Sequence, residues 1–279
     1  MTINEMIKYA TNNGMEILDV KELLKYELSV DSNYLVVNSK KEIEINKVKE
    51  ILDAIEQIKN GKPLQYVTHN QEFMGLNFFV NEDVLIPQPD TEIIVQDAID
   101  TIKKMSIELN RKIEVLDLCT GSGAIAISIE KYIGKKANIF ASDISEKALD
   151  VAKKNEKKIL NRNSIKFIKS NMFENIENKF DLIVTNPPYI KSNEIKNLAK
   201  DVQNEPRIAL DGGKDGLDFY RNLRENAEKY LNKNGIFIME IGFDQKNDVL
   251  NLFENAICKK DFAGNDREIK WIRGEWLYE

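Results

Sequence analysis

The chain has 279 residues, which is long enough for one large domain or for a large domain with a small one. Hydrophobic residues make up 42% of it and charged residues 31%, as in ordinary globular proteins, and the net charge is −6. This charge argues against a protein whose main task is to bind nucleic acid phosphates. The single histidine, His69, argues against a histidine metal centre or a Ser-His-Asp triad, and no metal site is predicted.

The sequence has no feature that predicts a membrane span or an oxidising compartment. No stretch approaches the roughly 18 apolar residues of a membrane span, and residues 1–5 do not resemble the start of a signal peptide. Cys119 and Cys258 lie far apart without a CxxC spacing, so no disulfide framework is expected. We expect a cytoplasmic protein without membrane association.

Residues 1–62 predict a small helical domain for substrate recognition. Apolar residues recur at helical spacing from Ile51 to Ile58, just before Asn60-Gly61, and residues 17–28 indicate an earlier helix pair. Residues 1–86 contain nine lysines, no arginine and fourteen acidic residues. An acidic helical domain favours binding of a protein over binding of nucleic acid.

Residues 63–88 predict a β-hairpin linker between two domains. Residues 65–68 and the run from Phe73 to Val80 have the β-branched and aromatic composition of short strands. Residues 69–71 are predicted to form the turn between these two strands.

Residues 89–279 show the alternation of strands and helices that is typical of an α/β domain. The predicted elements are a helix over 91–105, a strand over 113–119, a helix over 124–132, a strand over 138–143, a helix over 146–159, strands over 165–170 and 180–186, a helix over 216–231, a strand over 236–241, a helix over 245–253 and two closing strands near 257–262 and 268–273. This order predicts a doubly wound, mostly parallel sheet.

A candidate cofactor site lies where a strand ending at Leu118 runs into Cys119-Thr120-Gly121-Ser122-Gly123 and then into a helix. Glycines at such a turn allow positive φ angles and a close approach of a ligand to backbone N–H groups. Asp143 ends the next strand, twenty residues after Gly123, where an acid can bind both hydroxyls of a ribose. Thr120, Gly121, Gly123 and Asp143 are therefore predicted to bind a nucleoside-bearing cofactor.

Asp117 narrows the choice of cofactor without deciding it. The pattern Gly-x-Gly-x-x-Ala over 121–126 also matches a nicotinamide-dinucleotide fingerprint, but a dehydrogenase needs a proton donor and His69 lies in the linker. The Asp117 carboxylate suits S-adenosylmethionine, because it can face the ammonium group of that cofactor; alternatively it is a buried cap on nearby backbone amides. Asn171 and Met172 are predicted to contact the adenine, or else to form an ordinary strand-ending turn.

The most distinctive segment is Asn186-Pro187-Pro188-Tyr189, which follows an apolar strand. Its prolines fix φ at about −65° and hold the preceding residues extended, so the loop is stiff. It presents the Asn186 amide, backbone carbonyls and an aromatic ring in one fixed arrangement, which suits a planar N–H₂ group. A rigid strand-end turn without chemistry would give the same letters, and the loop alone does not choose between adenine, guanine and glutamine.

Together these residues resemble the protein-(glutamine-N5) methyltransferases that modify peptide-chain release factors, the PrmC/HemK family. The resemblance covers essentially the whole chain. It rests on the helical N-terminal domain and on residues 71–76, 85–92, 117–123, 186–189, 205–213 and 264–267. Segment 186–189 is shared with DNA, RNA and other protein amino-methyltransferases. The Pro-x-Pro-Asp-Thr-Glu and Glu-Pro-Arg…Asp-Gly-Gly segments favour the narrower assignment to the release factor methyltransferases.

The resemblance implies the class I S-adenosylmethionine-dependent methyltransferase fold, a Rossmann-like sheet with a small N-terminal helical domain, and S-adenosyl-L-methionine as cofactor. It implies in-line methylation of the glutamine in the Gly-Gly-Gln motif of class I release factors, without stable nucleic-acid binding. Asn186 and Pro187 are expected to accept the two amide hydrogens, and Asn186 also to contact the cofactor. Tyr189 is expected to pack on the amide plane or the methyl path. Pro188 and Arg207 complete the expected substrate contacts.

Three residues depart from the family pattern. Gln88 stands between two prolines where the family usually has Arg, so a cation is lost. Cys119 replaces a frequent Gly and is interpreted as a small packing residue. Asn171 replaces an acid and still permits contact with adenine.

Further expectations concern side chains near the site. Glu92 is the only candidate for a base, and we expect it instead to shape the cofactor pocket. Arg207 either grips the substrate backbone or pairs with Glu205. Residues 211–216 are predicted to form a mobile loop over the substrate entrance.

Two other hypotheses stay open. The first is a nucleic-acid amino-methyltransferase acting on adenine N6 or guanine N2, which has to flip a base out of its stack and is expected to carry a basic recognition domain. The second is a non-catalytic module that keeps the fold. The presence of Asp143 and Asn186 disfavours that second hypothesis.

Overall fold

The computed structural model describes residues 1–274, which form two compact units. The first unit comprises Met1–Asn70 together with Ala199–Asn204. The second comprises Gln71–Leu198 and the residues from Glu205 onward. Within the described part of the chain, no helix is both long and apolar enough to cross a membrane.

The helices and strands of residues 1–274 have the following bounds. The α-helices are α1 (Ile3–Asn12), α2 (Ile17–Leu28), α3 (Ser32–Val37), α4 (Ile45–Lys59), α5 (Leu64–Thr68), α6 (Glu92–Glu108), α7 (Ala124–Ile133), α8 (Glu146–Leu160), α9 (Lys200–Gln203), α10 (Arg207–Leu210), α11 (Asp218–Tyr230) and α12 (Lys246–Leu252). The strands are β1 (Gln71–Phe73), β2 (Leu76–Phe78), β3 (Ile113–Leu118), β4 (Ala137–Asp143), β5 (Ile165–Lys169), β6 (Phe180–Thr185), β7 (Leu231–Glu240), β8 (Ile257–Lys260) and β9 (Asp266–Ile272).

The first unit is helical, as predicted, and has its own apolar core. Helix α1 begins with a capping box, in which Thr2 and Glu5 each accept from the other's backbone N–H. The core is built by apolar residues of the first four helices, among them Met6, Leu23, Leu24, Ile51 and Ile55. The short helix α9 belongs to this unit although it lies far along the chain.

The predicted strand over residues 65–68 is wrong, because these residues form the one-turn helix α5. Pro63 precedes the helix at its N-cap, where a residue without a backbone N–H costs nothing. His69 then ends it in a left-handed conformation with φ of 48°. The β-prone composition of this segment is overridden by these two flanking residues and by the burial of Tyr66.

The linker does contain a hairpin, but its turn lies later than predicted. Strands β1 and β2 pair antiparallel, with Gln71 opposite Phe78 and Phe73 opposite Leu76. The turn is Met74-Gly75, whose φ angles of 52° and 68° are of the sign that two-residue hairpins require. The hairpin belongs to the second unit.

The second unit contains a seven-stranded sheet in the order β5-β4-β3-β6-β7-β9-β8. The first five strands in this order are parallel, and β9 and β8 add an antiparallel edge. The prediction of a doubly wound, mostly parallel sheet is therefore confirmed. The order reverses between β3 and β6, and ligands of such sheets bind at the carboxyl ends of the strands at this switch point.

Both faces of the sheet are covered, which explains why the central strands β3 and β6 are buried at nearly every position. Neighbouring residues of one strand point to opposite faces. Val115 of β3 accordingly packs with residues of α6 and α7, such as Ile99 and Ile127. Leu116 packs with residues of α11 and α12, such as Leu223.

Candidate active site

The turn between β3 and α7 has the left-handed geometry that its glycines predict. Cys119, Gly121 and Gly123 have φ angles of 64°, 54° and 82°. A side chain at Gly123 would place its Cβ 2.8 Å from the Ile127 side chain and 3.1 Å from Ala152, so only glycine lets the turn pack on the helices below it. Gly123 therefore serves packing, and Gly121 lines the adjoining cavity.

Asp117 is completely buried and holds this turn together. Its Oδ2 accepts from the Thr120 hydroxyl at 2.5 Å and from the Ala126 backbone N–H at 3.0 Å. This matches the interpretation of Asp117 as a buried cap. Its Oδ1 is buried without a hydrogen-bond partner among residues 1–274, and burial raises the pKa of the carboxyl to about 7. Its contact with a cofactor ammonium group stays a prediction.

Asp143 ends β4 and binds the turn from the other side. Its Oδ2 accepts from Gly121 N–H and its Oδ1 from Ser145 N–H, each at 2.9 Å. Burial raises the pKa of Asp143, while these hydrogen bonds oppose the rise. The carboxylate lines the cavity, so its remaining lone pairs are placed to accept from a bound molecule.

A cavity opens at the switch point of the sheet, where sheets of this type bind their ligands. It brings together six residues predicted for the site, namely Gly121, Asp143, Asn171, Met172, Asn186 and Pro188. A smaller cavity of about 390 Å³ adjoins it and is lined by Gln88, Thr91 and Thr120. Asn186 lines both cavities.

Loop 186–189 is held rigid from several directions. At the preceding residue, the Thr185 hydroxyl donates to Leu118 O at 2.6 Å, which ties the ends of β6 and β3 together. The Gln245 side chain donates to Tyr189 O at 2.9 Å. A Cβ at Gly212 would lie 2.7 Å from Tyr189 Cα, so residue 212 packs directly on the loop backbone.

The Asn186 amide is oriented by a hydrogen-bond relay through two buried side chains, Thr91 and Glu240. Its Nδ2 donates to Thr91 Oγ1 at 3.1 Å, and the Thr91 hydroxyl donates to Glu240 Oε2 at 2.6 Å. The Tyr189 hydroxyl donates to the other oxygen, Glu240 Oε1, at 3.3 Å. Asn186 and Tyr189 thus share one anchor, the carboxylate at the end of β7.

Burial raises the pKa of the Glu240 carboxyl to about 7, and the hydrogen bond from Thr91 and the charge of Arg267 oppose the rise. Arg267 is itself buried and forms ion pairs with Asp90 at 3.1 Å and Asp261 at 3.3 Å. This buried cation is the countercharge that favours the ionised form of Glu240.

Several predicted residues lie outside the surfaces of the two cavities described above. Pro187 is buried in the loop, and Tyr189 is directed at Glu240. Arg207 is 71% exposed at its side chain and pairs with Asp211 at 3.1 Å. The alternative that Arg207 pairs with Glu205 is wrong. The substrate contacts of Pro187, Tyr189 and Arg207 stay predictions.

Glu205 and Glu92 instead tie segments of backbone together. Glu205 is buried, and its Oε2 accepts from Ile86 N–H at 2.8 Å. Glu92 Oε1 accepts from Met74 N–H at 2.6 Å and so secures the hairpin turn. Gln88 donates to Ile86 O at 3.1 Å beside the smaller cavity.

The expected mobile loop over 211–216 is anchored at its start. Residue Ile190 forms a parallel bridge with Asp211, and its carbonyl accepts from Gly212 N–H at 2.8 Å. The Asp211 carboxylate accepts from the Ser192 hydroxyl at 2.5 Å. These bonds hold residues 211–213 on the chain that leaves loop 186–189.

Sequence reasoning missed Glu240 and Asn155. Asn155 is fully buried and donates to Phe79 O and Ser122 O at 2.9 Å, which joins the linker to the cofactor turn. One signal was present for Glu240, because it is the only charged residue in the run Gly235–Gly242 at the end of a buried strand. A charge in such a strand is costly unless it is paired or hydrogen-bonded.

Comparison with known proteins places this geometry in context. A family model described as "Methyltransferase small domain" matches residues 97–214, and one described as "PrmC N-terminal domain" matches residues 6–68. The chain is 42% identical over 273 residues to the release factor glutamine methyltransferase of Clostridium acetobutylicum, covering 95% of this chain and 94% of that protein. It is 37% identical over 241 residues to that of Borreliella burgdorferi, covering 86% and 82%.

Solved structures match the fold alone. A methyltransferase from Pyrococcus furiosus superposes with a TM-score of 0.51 at 20% identity, over 82% of this chain and 99% of that one. This likeness shows a shared fold.

Proposed function

The chain belongs to the family of release factor glutamine methyltransferases, and from this premise we propose that it methylates a glutamine side chain of peptide-chain release factors with S-adenosyl-L-methionine as the methyl donor. One observation carries the proposal. Asn186, at the head of the rigid loop, and Asp143, at the end of β4, line the same cavity at the switch point of the sheet. The proposed acceptor for an amide and the proposed acceptor for a ribose thus face one space.

The residues around the cavity fit the cofactor. When bound, S-adenosylmethionine supplies a methyl group whose bond to sulfur breaks as a bond to the glutamine nitrogen forms and an amide proton leaves. Asp143 is proposed to accept from the ribose hydroxyls, and Asn171 and Met172 to contact the adenine. Asp117 Oδ1 is a buried acceptor without a partner among the described residues, which supports its proposed contact with an ammonium group.

Loop 186–189 is proposed to orient the glutamine amide. An amide nitrogen is a poor nucleophile, so its placement has to contribute much of the rate. Asn186 Oδ1 and the Pro187 carbonyl accept the two amide hydrogens and fix the direction of the nitrogen. Holding two reactants in such a geometry contributes roughly 7–11 kcal/mol to lowering a barrier. No strong base is assigned, and the Glu92 carboxylate already accepts from Met74 N–H.

The finer identity of the substrate is also a proposal. We propose that the target is the glutamine of the Gly-Gly-Gln motif in class I release factors, and that the reaction takes place in the cytoplasm, where translation occurs. Residues 1–62 are proposed to recognise the protein substrate. The excess of acidic residues over residues 1–86 supports this and disfavours stable binding of nucleic acid.

The test is incubation with S-adenosylmethionine labelled in its methyl group and one of three acceptors. These are a recombinant class I release factor, the same factor with its Gly-Gly-Gln glutamine changed to alanine, and bulk nucleic acid. Label is expected in the unmodified release factor alone. Label in nucleic acid but in neither release factor would overturn the proposal and favour an amino-methyltransferase acting on bases.

A further inference from the structure

Three polar side chains, of which Thr91 and Glu240 are buried, connect loop 186–189 to the end of β7. Asn186 Nδ2 donates to Thr91 Oγ1 at 3.1 Å, and Thr91 donates to Glu240 Oε2 at 2.6 Å. Thr91 is 4% exposed and Glu240 is 2% exposed, so water does not compete for the bond between these two side chains. Neither Thr91 nor Glu240 is among the residues proposed to contact the cofactor or the substrate.

The hydrogen bonds of this relay can run in only one direction. A carboxylate accepts and cannot donate, so the Thr91 proton has to point at Glu240. The oxygen of Thr91 then offers only lone pairs to Asn186. The Asn186 amide therefore donates from its N–H₂ group to Thr91. Its Oδ1 is left free to accept a hydrogen bond from a ligand.

The direction of these hydrogen bonds matters for an amide substrate. The nitrogen of a glutamine amide carries two hydrogens, so it needs an acceptor opposite it. If the Asn186 amide were rotated by half a turn, its N–H₂ would face the N–H₂ of the substrate. Two donors would then meet, and the hydrogen bond that orients the nucleophile would be lost.

We propose that Glu240 and Thr91 are positioning residues for methyl transfer, which fix the Asn186 amide with its oxygen toward the substrate nitrogen. The inference rests on the proposed function for its consequence in catalysis. The tyrosine of the loop is fixed by the same carboxylate, since its hydroxyl donates to Glu240 Oε1. One buried charge thus sets the orientation of both polar side chains of the loop.

The Thr91 and Tyr189 hydroxyls and the charge of Arg267 favour the ionised, accepting form of Glu240, against the burial that raises the pKa of this carboxyl to about 7. Arg267 is the buried cation nearby, and it also pairs with Asp90. Tyr189 and Tyr220 are the other titratable groups that face it, and the Tyr220 hydroxyl donates to the Glu240 backbone carbonyl at 2.8 Å. In this structure the Thr91 hydroxyl donates to Glu240 Oε2. It donates to none of the four groups Arg267, Asp90, Tyr189 and Tyr220.

The test uses paired variants of Thr91 in the full-length chain. Thr91→Val removes the hydroxyl at nearly constant volume, and Thr91→Ser keeps it. Thr101→Val is the matched control, because Thr101 is a buried threonine of α6 that accepts from Lys270 at 2.7 Å, away from loop 186–189. The readouts are kcat with a release factor and, separately, the Kd of S-adenosylmethionine by calorimetry.

Thr91→Val is expected to lower kcat roughly ten- to hundred-fold, as the loss of a hydrogen bond to a charged group does, with Kd for the cofactor within about twofold. Thr91→Ser and Thr101→Val are expected to stay within about threefold of the wild type. Equal losses in Thr91→Val and Thr91→Ser, or wild-type kcat in Thr91→Val, would overturn the proposal.

Glu240→Met adds a second measurement through a double-mutant cycle. If both residues act through the one bond, the variant carrying both changes is expected to be no slower than the slower single variant. Losses that multiply would mean independent roles and would contradict the relay.

A third measurement needs no substrate and separates this inference from the proposed function. The nitrogen and proton resonances of the Asn186 side-chain amide, assigned with Asn186→Ala, are expected to shift in Thr91→Val and not in Thr101→Val. Unchanged resonances in Thr91→Val would overturn the relay even if the chain methylates release factors. If Thr91→Val shows the shift but the wild-type chain labels no release factor, the proposed function would be overturned and the relay would stand.

Discussion

Thr91 and Glu240 lie 149 positions apart in the sequence, and the Thr91 hydroxyl donates to Glu240 Oε2 over 2.6 Å. Thr91 belongs to the single turn before α6, and Glu240 ends β7. The bond therefore forms only when the helix has packed on the completed sheet. Because Asn186 donates to the same threonine, the orientation of the proposed reacting loop depends on the assembly of the whole second unit.

The first prediction concerns the proposed acceptor for the substrate amide. Asn186→Ala is expected to lower kcat by at least about a hundred-fold, because one preorganised group of this kind contributes that much in other enzymes. The Kd of S-adenosylmethionine, measured by calorimetry, is expected to change little. Asn138→Ala is the control, since Asn138 lies at the opposite end of β4. An equal loss of cofactor binding in Asn186→Ala would mean that the residue serves the cofactor instead.

The second prediction separates two roles for Asp117. Asp117→Asn keeps the shape of the side chain but removes its charge, so a contact with the cofactor ammonium group would be weakened. The Kd of S-adenosylmethionine is expected to rise at least about tenfold, as for a lost charge-assisted hydrogen bond. The Kd of methylthioadenosine, which lacks the amino acid part, is expected to change much less. Equal changes for both ligands would show that Asp117 acts only by holding the turn.

The third prediction concerns the packing of Gly212 on loop 186–189. Gly212→Ala would bring a methyl group to 2.7 Å from Tyr189 Cα, so the loop backbone has to shift. We expect a loss of about 1–3 kcal/mol in the free energy of unfolding and a lower kcat. Gly14→Ala is the control for lost stability alone: its φ of 93° strains any side chain, but a Cβ there meets nothing within 4 Å, so kcat is expected to stay unchanged. Similar kcat values for Gly212→Ala and the wild type would contradict the requirement for a fixed loop.

The fourth prediction is a pH dependence of stability that arises from Glu268. Burial, and then the neighbouring charge of Asp97, raise the pKa of Glu268 to about 8 from an ordinary value of 4.5. Between these two values the folded chain binds more protons than the unfolded chain, so this group lowers stability as the pH rises from 4.5 to about 8. Glu268→Gln removes the effect.

The measurement is the difference in Tm between Glu268→Gln and the wild type at several pH values. The difference in Tm, variant minus wild type, is expected to grow from pH 5 to pH 8. Each kcal/mol of unfolding free energy that the wild type loses relative to the variant corresponds to about 2–4 °C in a chain of this size. A difference that stays constant or shrinks with rising pH would show that Glu268 is ionised throughout, held by its ion pair with Lys259 at 3.3 Å.

The sheet could be predicted from the sequence because its signals are local. The run Phe180–Thr185 is apolar at four of its six positions and is buried along its whole length in the structure, as expected of a central parallel strand. The turn after β3 could also be placed, since the glycines at 121 and 123 permit the positive φ angles that such a turn needs. Residues 65–68 were assigned wrongly because composition favoured a strand while Pro63 and His69 favoured a single helical turn.

The partners of side chains in the site could not be predicted, because they are set by long-range packing. In the sequence Thr91 is one residue of a motif and Glu240 one charge in an apolar run, and only the fold brings the two side by side. Arg207 was expected to contact substrate or Glu205, but the chain brings Asp211 within 3.1 Å of it instead. Such pairings depend on where loops return to the sheet, which periodicity does not encode.

The central claim is that this chain transfers a methyl group to a glutamine side-chain nitrogen of a release factor. The most direct measurement is tandem mass spectrometry of a class I release factor after incubation with the chain and S-adenosylmethionine. One added methyl group is expected on the side chain of the Gly-Gly-Gln glutamine, and none when Asn186→Ala replaces the wild type. A methyl group on another residue, or an unmodified glutamine after incubation with wild-type chain that binds the cofactor, would contradict the central claim.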